Sequence, residues 1–89
     1  MTSWKIEIKP TAEKYYLKLD KKTRNRIKKA LQELEEGENP LLHRNVRPLT
    51  GQLHGDYRLG VGDWRLLFTP DKDKKIIYIY AILPRGNAY

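Results

Sequence analysis

Trp4 to Lys9 (WKIEIK) alternate apolar and charged residues, with Trp4, Ile6 and Ile8 on one face and Lys5, Glu7 and Lys9 on the other. That period of two predicts a half-buried strand, ended by Pro10. Pro10-Thr11-Ala12-Glu13 reads as a helix start with Thr11 as N-cap, and the helix is expected to run to about Leu19. Asp20 then caps a second helix, in which Ile27, Ala30, Leu31 and Leu34 form one apolar stripe at i, i+3, i+4 and i+7. Gly37 suits the C′ position of that helix and Pro40 stops it. Asn39 to Thr50 shows no period and reads as a loop. From Tyr57 the period returns to two. Tyr57, Leu59 and Val61 alternate with Arg58 and Gly60, Gly62-Asp63 marks a tight turn, and Trp64, Leu66 and Phe68 alternate with Arg65 and Leu67. Pro70 to Lys75 is a charged turn, and Ile76 to Leu83 is apolar on both faces, as a central strand requires. The order β-α-α-β-β-β predicts an α+β domain, a largely antiparallel twisted sheet with two N-terminal helices on one face.

Composition narrows this picture. The 89 residues, read as a single domain over 1–89, leave no room for a second core. There is no Cys, which removes disulfide scaffolds, Cys-ligated zinc and thiol nucleophiles. The longest apolar run, Ile76 to Leu83, is far below the roughly 20 residues of a spanning helix. The first ten residues carry no apolar signal core, so a cytoplasmic protein without membrane attachment is expected. The formal net charge is +7, which suggests a polyanionic partner.

The distribution of that charge says more than its total. Every Lys lies before Ala30 or at Lys72, Lys74 and Lys75, whereas between Ala30 and Asp71 every Lys/Arg position is Arg: Arg44, Arg47, Arg58 and Arg65. Arg makes forked, directional contacts with phosphate, and Lys acts as a point charge. The helical half, with Lys21, Lys22, Arg24, Lys28 and Lys29, therefore reads as broadly attractive to RNA or to an acidic protein. Arg44 and Arg47 are further RNA-binding candidates. Arg58 and Arg65, on adjacent strands, face away from the helices by parity and can form an anion cradle; two solvated surface arginines are the alternative. Arg85 and Tyr89 can bind phosphate and stack a base, or belong to a frayed chain end. Neither His43 nor His54 has metal-ligand spacing, so no metal and no small-molecule cofactor is expected. His54 is the stronger functional candidate, because it enters the strand bearing Arg58.

The block Leu49-Thr50-Gly51-Gln52-Leu53-His54-Gly55-Asp56-Tyr57-Arg58-Leu59-Gly60-Val61-Gly62-Asp63-Trp64-Arg65-Leu66-Leu67-Phe68 resembles the central run of the RelE/ParE superfamily of toxins, and Ile82 to Tyr89 is similar to its closing strand and tail. The resemblance implies a RelE-like fold and a toxin of a type II toxin–antitoxin pair. RelE-type members cut mRNA in the ribosomal A site by attack of a 2′-OH on the adjacent phosphate; ParE-type members poison DNA gyrase instead. Arg85 and Tyr89 place the chain on the RelE side. The implied partners are the ribosome with its mRNA and a cognate RelB-like antitoxin with an acidic or amphipathic segment.

Position by position, the resemblance gives Arg65 contact with the scissile phosphate, Arg85 charge stabilisation or leaving-group protonation, Tyr89 stacking on the substrate base, and Arg58 a phosphate contact. Gly60 and Pro84 depart from the pattern, standing where the family usually has basic residues. The site then holds abundant positive charge and no obvious base, so protons fall to His54, Tyr89 or ribosomal RNA groups; the alternatives are a ParE-like gyrase inhibitor and a catalytically weakened RNA- or ribosome-binding homologue.

Overall fold

A computed structural model describes residues 4–51 and 55–84. The chain forms β1 (Lys5–Ile8), α1 (Pro10–Leu17), α2 (Lys21–Glu36), a 3-10 turn (Pro40–Leu42), β2 (Val46–Pro48), β3 (Tyr57–Val61), β4 (Trp64–Asp71) and β5 (Ile76–Pro84). The sheet order is β1-β5-β4-β3-β2. β1 lies parallel to β5, with Lys5 opposite Ile76, and the other pairs are antiparallel. The α+β architecture expected from the sequence is the one observed, with one strand more.

That strand is β2, inside the segment expected to be loop. Val46 pairs with Leu59, Arg47 with Arg58 and Pro48 with Tyr57. Three residues are too few to show a period of two, and β3 supplies the pairing that makes them a strand.

Helix α1 starts two residues earlier than expected. Lys9, not Thr11, is its N-cap residue, and Pro10 takes the first helical position, where its fixed φ and missing N–H cost nothing. Lys9 is held in place by its N–H to the Ile79 carbonyl at 2.8 Å. The helix ends at Leu17 rather than Leu19, because the N–H groups of Lys18 and Leu19 close onto Tyr15 and Tyr16 in tighter turns. Asp20 caps α2 as expected: its carboxylate accepts from the Thr23 N–H at 3.2 Å and the Thr23 hydroxyl at 2.6 Å. These bonds favour the ionised carboxylate and hold its pKa below the ordinary value. Gly37 ends α2 in extended backbone, not the left-handed C′ conformation.

β4 runs on through Pro70 and Asp71, residues expected to begin a turn. Pro70 is accommodated because β3 stops pairing at Tyr57–Phe68, which leaves β4 with one neighbour at that point. The β3–β4 turn holds Gly62 at φ +58, a conformation glycine adopts without penalty.

Ile27, Leu31 and Leu34 of α2 and Ala12 of α1 pack with Leu59, Val61, Leu66, Phe68, Ile77, Ile79 and Ile82 in one core, closed by Trp4 and Val46. On β5 the core positions step from Ile79 to Ile82 because Leu67 pairs with Ala81 and Phe68 with Ile79, leaving Tyr80 as an extra residue in a bulge. Leu49 and Leu67 are buried outside this core, and Leu67, opposite Arg58, lies on the face away from the helices. Leu34 is fully buried, so Leu34→Ala is expected to destabilise the fold by about 2–5 kcal/mol in denaturant titrations.

Candidate functional site

Strand register brings the arginines of the sheet half together. Arg47 on β2 is directly opposite Arg58 on β3. Arg65 on β4 is opposite Gly60, which places it diagonal to Arg58 on the same face. Leu59 and Leu66, their core-facing neighbours, are buried, so the arginines point away from the helices as parity predicts. With Arg44 they line an open cleft of about 360 Å³, to which Asn45, Gly60, Gly62 and Trp64 also contribute. No carboxylate is among the described residues lining it.

Local bonds shape this cleft. Arg47 Nη1 donates to the carbonyls of Arg44 at 2.8 Å and Val46 at 3.0 Å, which folds its side chain back along β2. Gly60 donates its N–H to the Asn45 carbonyl at 3.0 Å. A Cβ added at Gly60 would meet only that carbonyl, at 3.9 Å. The glycine therefore leaves open floor between the strands. Arg58 and Arg65 are themselves engaged in interactions within the protein.

Two further groups brace the segments that carry the arginines. His43, just before Arg44, contacts Glu33 Oε1 through Nε2 at 2.9 Å and accepts the Asn45 N–H at Nδ1 at 3.1 Å. The His43 hydrogen bond holds the Glu33 carboxyl below its ordinary pKa, with smaller help from the charges of Arg44 and Lys29. Asp56 accepts from the Thr69 hydroxyl at 3.0 Å and the Tyr80 hydroxyl at 2.8 Å, so its carboxylate ties the start of β3 to β4 and to the bulge in β5.

The candidate residues separate accordingly. Arg58 and Arg65, expected as a pair, are joined by Arg44 and Arg47, which sequence alone placed only as general RNA contacts. The register of β2 is what unites them, and their one sequence signal was the Arg-only stretch. Asn45 and Trp64 were missed as cleft residues. Lys21, Lys22, Lys28 and Lys29 are exposed on α2 and do not line the cleft. Arg24 is half-buried, its Nε without a hydrogen-bond partner, so it does not extend freely toward a ligand. His54, Arg85 and Tyr89 lie outside the described residues. β5 ends at Pro84, opposite the cleft residue Trp64. Among the described residues no group of His, Asp or Glu is arranged to hold a metal ion. No helix among them is long and apolar enough to cross a membrane.

Residues 6–89 match the family model of the ParE toxin of type II toxin–antitoxin systems, parDE. The chain belongs to this ParE toxin family, within the RelE/ParE superfamily. A comparison with curated proteins finds no match to the chain. Among solved structures, this ParE-family toxin is similar to the archaeal RelE–RelB complex from Pyrococcus horikoshii OT3. Identity is 27%, the match covers 98% of this chain and 100% of that one, and the TM-score is 0.79. It shares its fold with the isolated E. coli RelE toxin (20% identity, covering 97% and 88% of the two chains, TM-score 0.73). It also shares it with the YoeB/ParE toxin from Agrobacterium tumefaciens (12% identity, covering 91% and 98%, TM-score 0.75).

The Tyr80 phenol of this ParE-family toxin has its pKa pushed far up, first by burial and then by its hydrogen bond to Asp56 and that carboxylate's charge. The folded state thus keeps the phenol protonated after the unfolded chain has lost its proton. Between those two pKa values the folded state binds more protons, so stability falls as pH rises. Loss of stability is expected to set in near pH 10, the ordinary phenol value. Thermal unfolding between pH 8 and about 11 should show a shallower decline for Tyr80→Phe than for the parent.

Proposed function

We propose that this toxin grips the phosphate backbone of mRNA in the arginine cleft and cleaves it on the ribosome. The observation that carries this reading is the convergence of Arg44, Arg47, Arg58 and Arg65 on one cleft. Guanidinium groups at fixed positions are suited to a phosphate whose charge grows as a pentacoordinate transition state forms. In the proposed reaction the 2′-oxygen bonds to the adjacent phosphorus as the 2′-OH gives up its proton. The bond from phosphorus to the 5′-oxygen breaks, and that oxygen takes a proton. The products are a 2′,3′-cyclic phosphate and a 5′-OH end.

Arg65 and Arg58 are assigned to the scissile phosphate, and Arg85 to the developing charge or the leaving oxygen. Tyr89 is assigned to the substrate base. An arginine is a poor base, since it holds its proton to pH values above about 12. Proton removal is therefore assigned to His54, Tyr89 or a ribosomal RNA group. Such a site works best where the ribosome holds the message in line, and is slow on free RNA. The exposed Lys21, Lys22, Lys28 and Lys29 of α2 are assigned to broad attraction of ribosomal RNA or to an acidic segment of the antitoxin. An antitoxin partner is supported by the archaeal match, in which the toxin is in complex with RelB. The proposed place of action is the cytoplasm.

A second reading is favoured by the matching family model, which is that of ParE: inhibition of DNA gyrase without nuclease chemistry. Primer extension on ribosome-bound mRNA separates the two. Cleavage within the A-site codon is expected, and intact mRNA together with gyrase-trapped DNA breaks would establish the second reading.

In the same assay Arg65→Ala and Arg85→Ala are each expected to lower the cleavage rate by about 10²-fold or more, the usual effect of losing one charge-stabilising donor. Purified toxin should cleave naked RNA far more slowly than ribosome-bound mRNA. His54→Ala at parental rate would remove His54 from the proton-transfer candidates.

A further inference from the structure

We infer that His43 is a positioning residue for the arginine cleft, acting as a neutral imidazole that ties the segment carrying Arg44, Asn45 and Arg47 to helix α2. The inference rests on the reading of the cleft as the RNA-binding site.

The segment needs such a tie. β2 has three residues and lies at the end of the sheet, beside β3. A strand that short is held by few ladder bonds. Arg44 and Asn45 precede even those. Their backbone is bracketed instead by the imidazole. Nδ1 accepts from the Asn45 N–H at 3.1 Å, and Nε2 lies 2.9 Å from Glu33 Oε1. A ring nitrogen that accepts an N–H carries no proton, so the single ring proton belongs on Nε2, where it is donated to Glu33. The two contacts thus specify one tautomer.

Both ends of this bridge are anchored. Glu33 sits on α2 between Leu31 and Leu34, which are buried in the core. The Asn45 carbonyl accepts the Gly60 N–H, and Gly60 is opposite Arg65. Asn45 is therefore fixed on one side by His43 and on the other by the strand that carries Arg58. The ring closes the loop further through its own backbone, since the His43 carbonyl accepts the Val46 N–H at 3.0 Å. The His43 side chain is only 14% exposed, so water competes weakly for its nitrogens. Losing the Nδ1 acceptor turns the Asn45 N–H over to solvent and frees Arg44 to move relative to Arg58 and Arg65. Guanidiniums that must share one phosphate track lose affinity when their spacing is not preset.

The test uses two substitutions that each keep one arm of the ring. Asn places its side-chain oxygen as many bonds from Cα as Nδ1, and Gln places its amide at the distance of Nε2. His43→Asn is thus expected to preserve the bond to Asn45, and His43→Gln the bond to Glu33. Affinity is measured with full-length toxin and a fluorescent, uniformly 2′-O-methylated RNA oligomer, which lacks the nucleophile and stays intact whether or not the toxin is a nuclease. His43→Gln should weaken binding about tenfold, the scale of one lost hydrogen bond, and His43→Asn by no more than about twofold. Amide hydrogen exchange supplies a second readout that does not depend on RNA. The Asn45 amide should exchange faster in His43→Gln and stay protected in His43→Asn, with the α2 amides unchanged in both. Equal effects of the two variants on binding and on Asn45 exchange would overturn the positioning role. If the parent binds the oligomer no better than Arg58→Ala and Arg65→Ala do, the RNA reading of the cleft fails; the exchange pattern then still decides whether His43 holds Asn45.

Discussion

β1 lies at one end of the sheet beside β5, and the two run parallel. A parallel pair cannot be joined by a tight turn, so the chain between them must cross over the sheet. Here the crossover begins with α1 and α2, which lie on one face and bury Ala12, Ile27, Leu31 and Leu34 against the strands. β5 is then paired on both edges, with Ile77, Ile79 and Ile82 buried under the helices and its other face half-buried. The remaining strands add one by one on the far side of β5 as antiparallel neighbours, ending at β2. The arginine cleft is consequently built from β2, β3 and β4, with the parallel pair at the opposite side of the sheet. The core that stabilises the fold and the cleft that carries the charge use opposite faces of the same strands.

Alternation made β1, β3 and the first half of β4 legible, because one face of each is buried and the other is not. α2 was legible from its stripe and from Asp20, whose capping role depends only on residues three positions away. β2 was not, since its strand character comes from β3 and not from its own three residues. The start of α1 at Pro10 was obscured by Thr11, a residue type suited to capping that lost the role to Lys9, which is fixed by its bond to β5. The same division holds in the cleft. Arg58 and Arg65 could be placed on one face by parity. The addition of Arg44 and Arg47 required the β2 register, and the His43 bridge required knowing that the segment after the 3-10 turn folds back onto α2.

The cleft carries a cost that the rest of the sheet does not. Like charges directly opposed on antiparallel strands repel, and Arg47 faces Arg58 in this way. The backbone carbonyls of Arg44 and Val46 offset part of this by accepting Arg47 Nη1. A surface arranged against its own electrostatics is preorganised for an anion, because the groups need not be gathered when the ligand arrives. Gly60 belongs to the same arrangement: it leaves out one more basic side chain and leaves space in its place. The network of Asp56 with Thr69 and Tyr80 is the counterpart on this face, with one carboxylate committed to neutral donors.

The pairing of Lys5 with Ile76 also sets an order of events in folding. The β3–β4 and β4–β5 hairpins close through short turns and can form early. β1 must wait for a strand nearly the whole chain away, and such long-range closure is the slow step in small mixed domains. Until it occurs, Ile6 and Ile8 lack their native neighbours and the helices have an incomplete sheet to cover. The arginine-bearing hairpin is therefore built from local contacts, whereas β1 joins the sheet only through long-range closure.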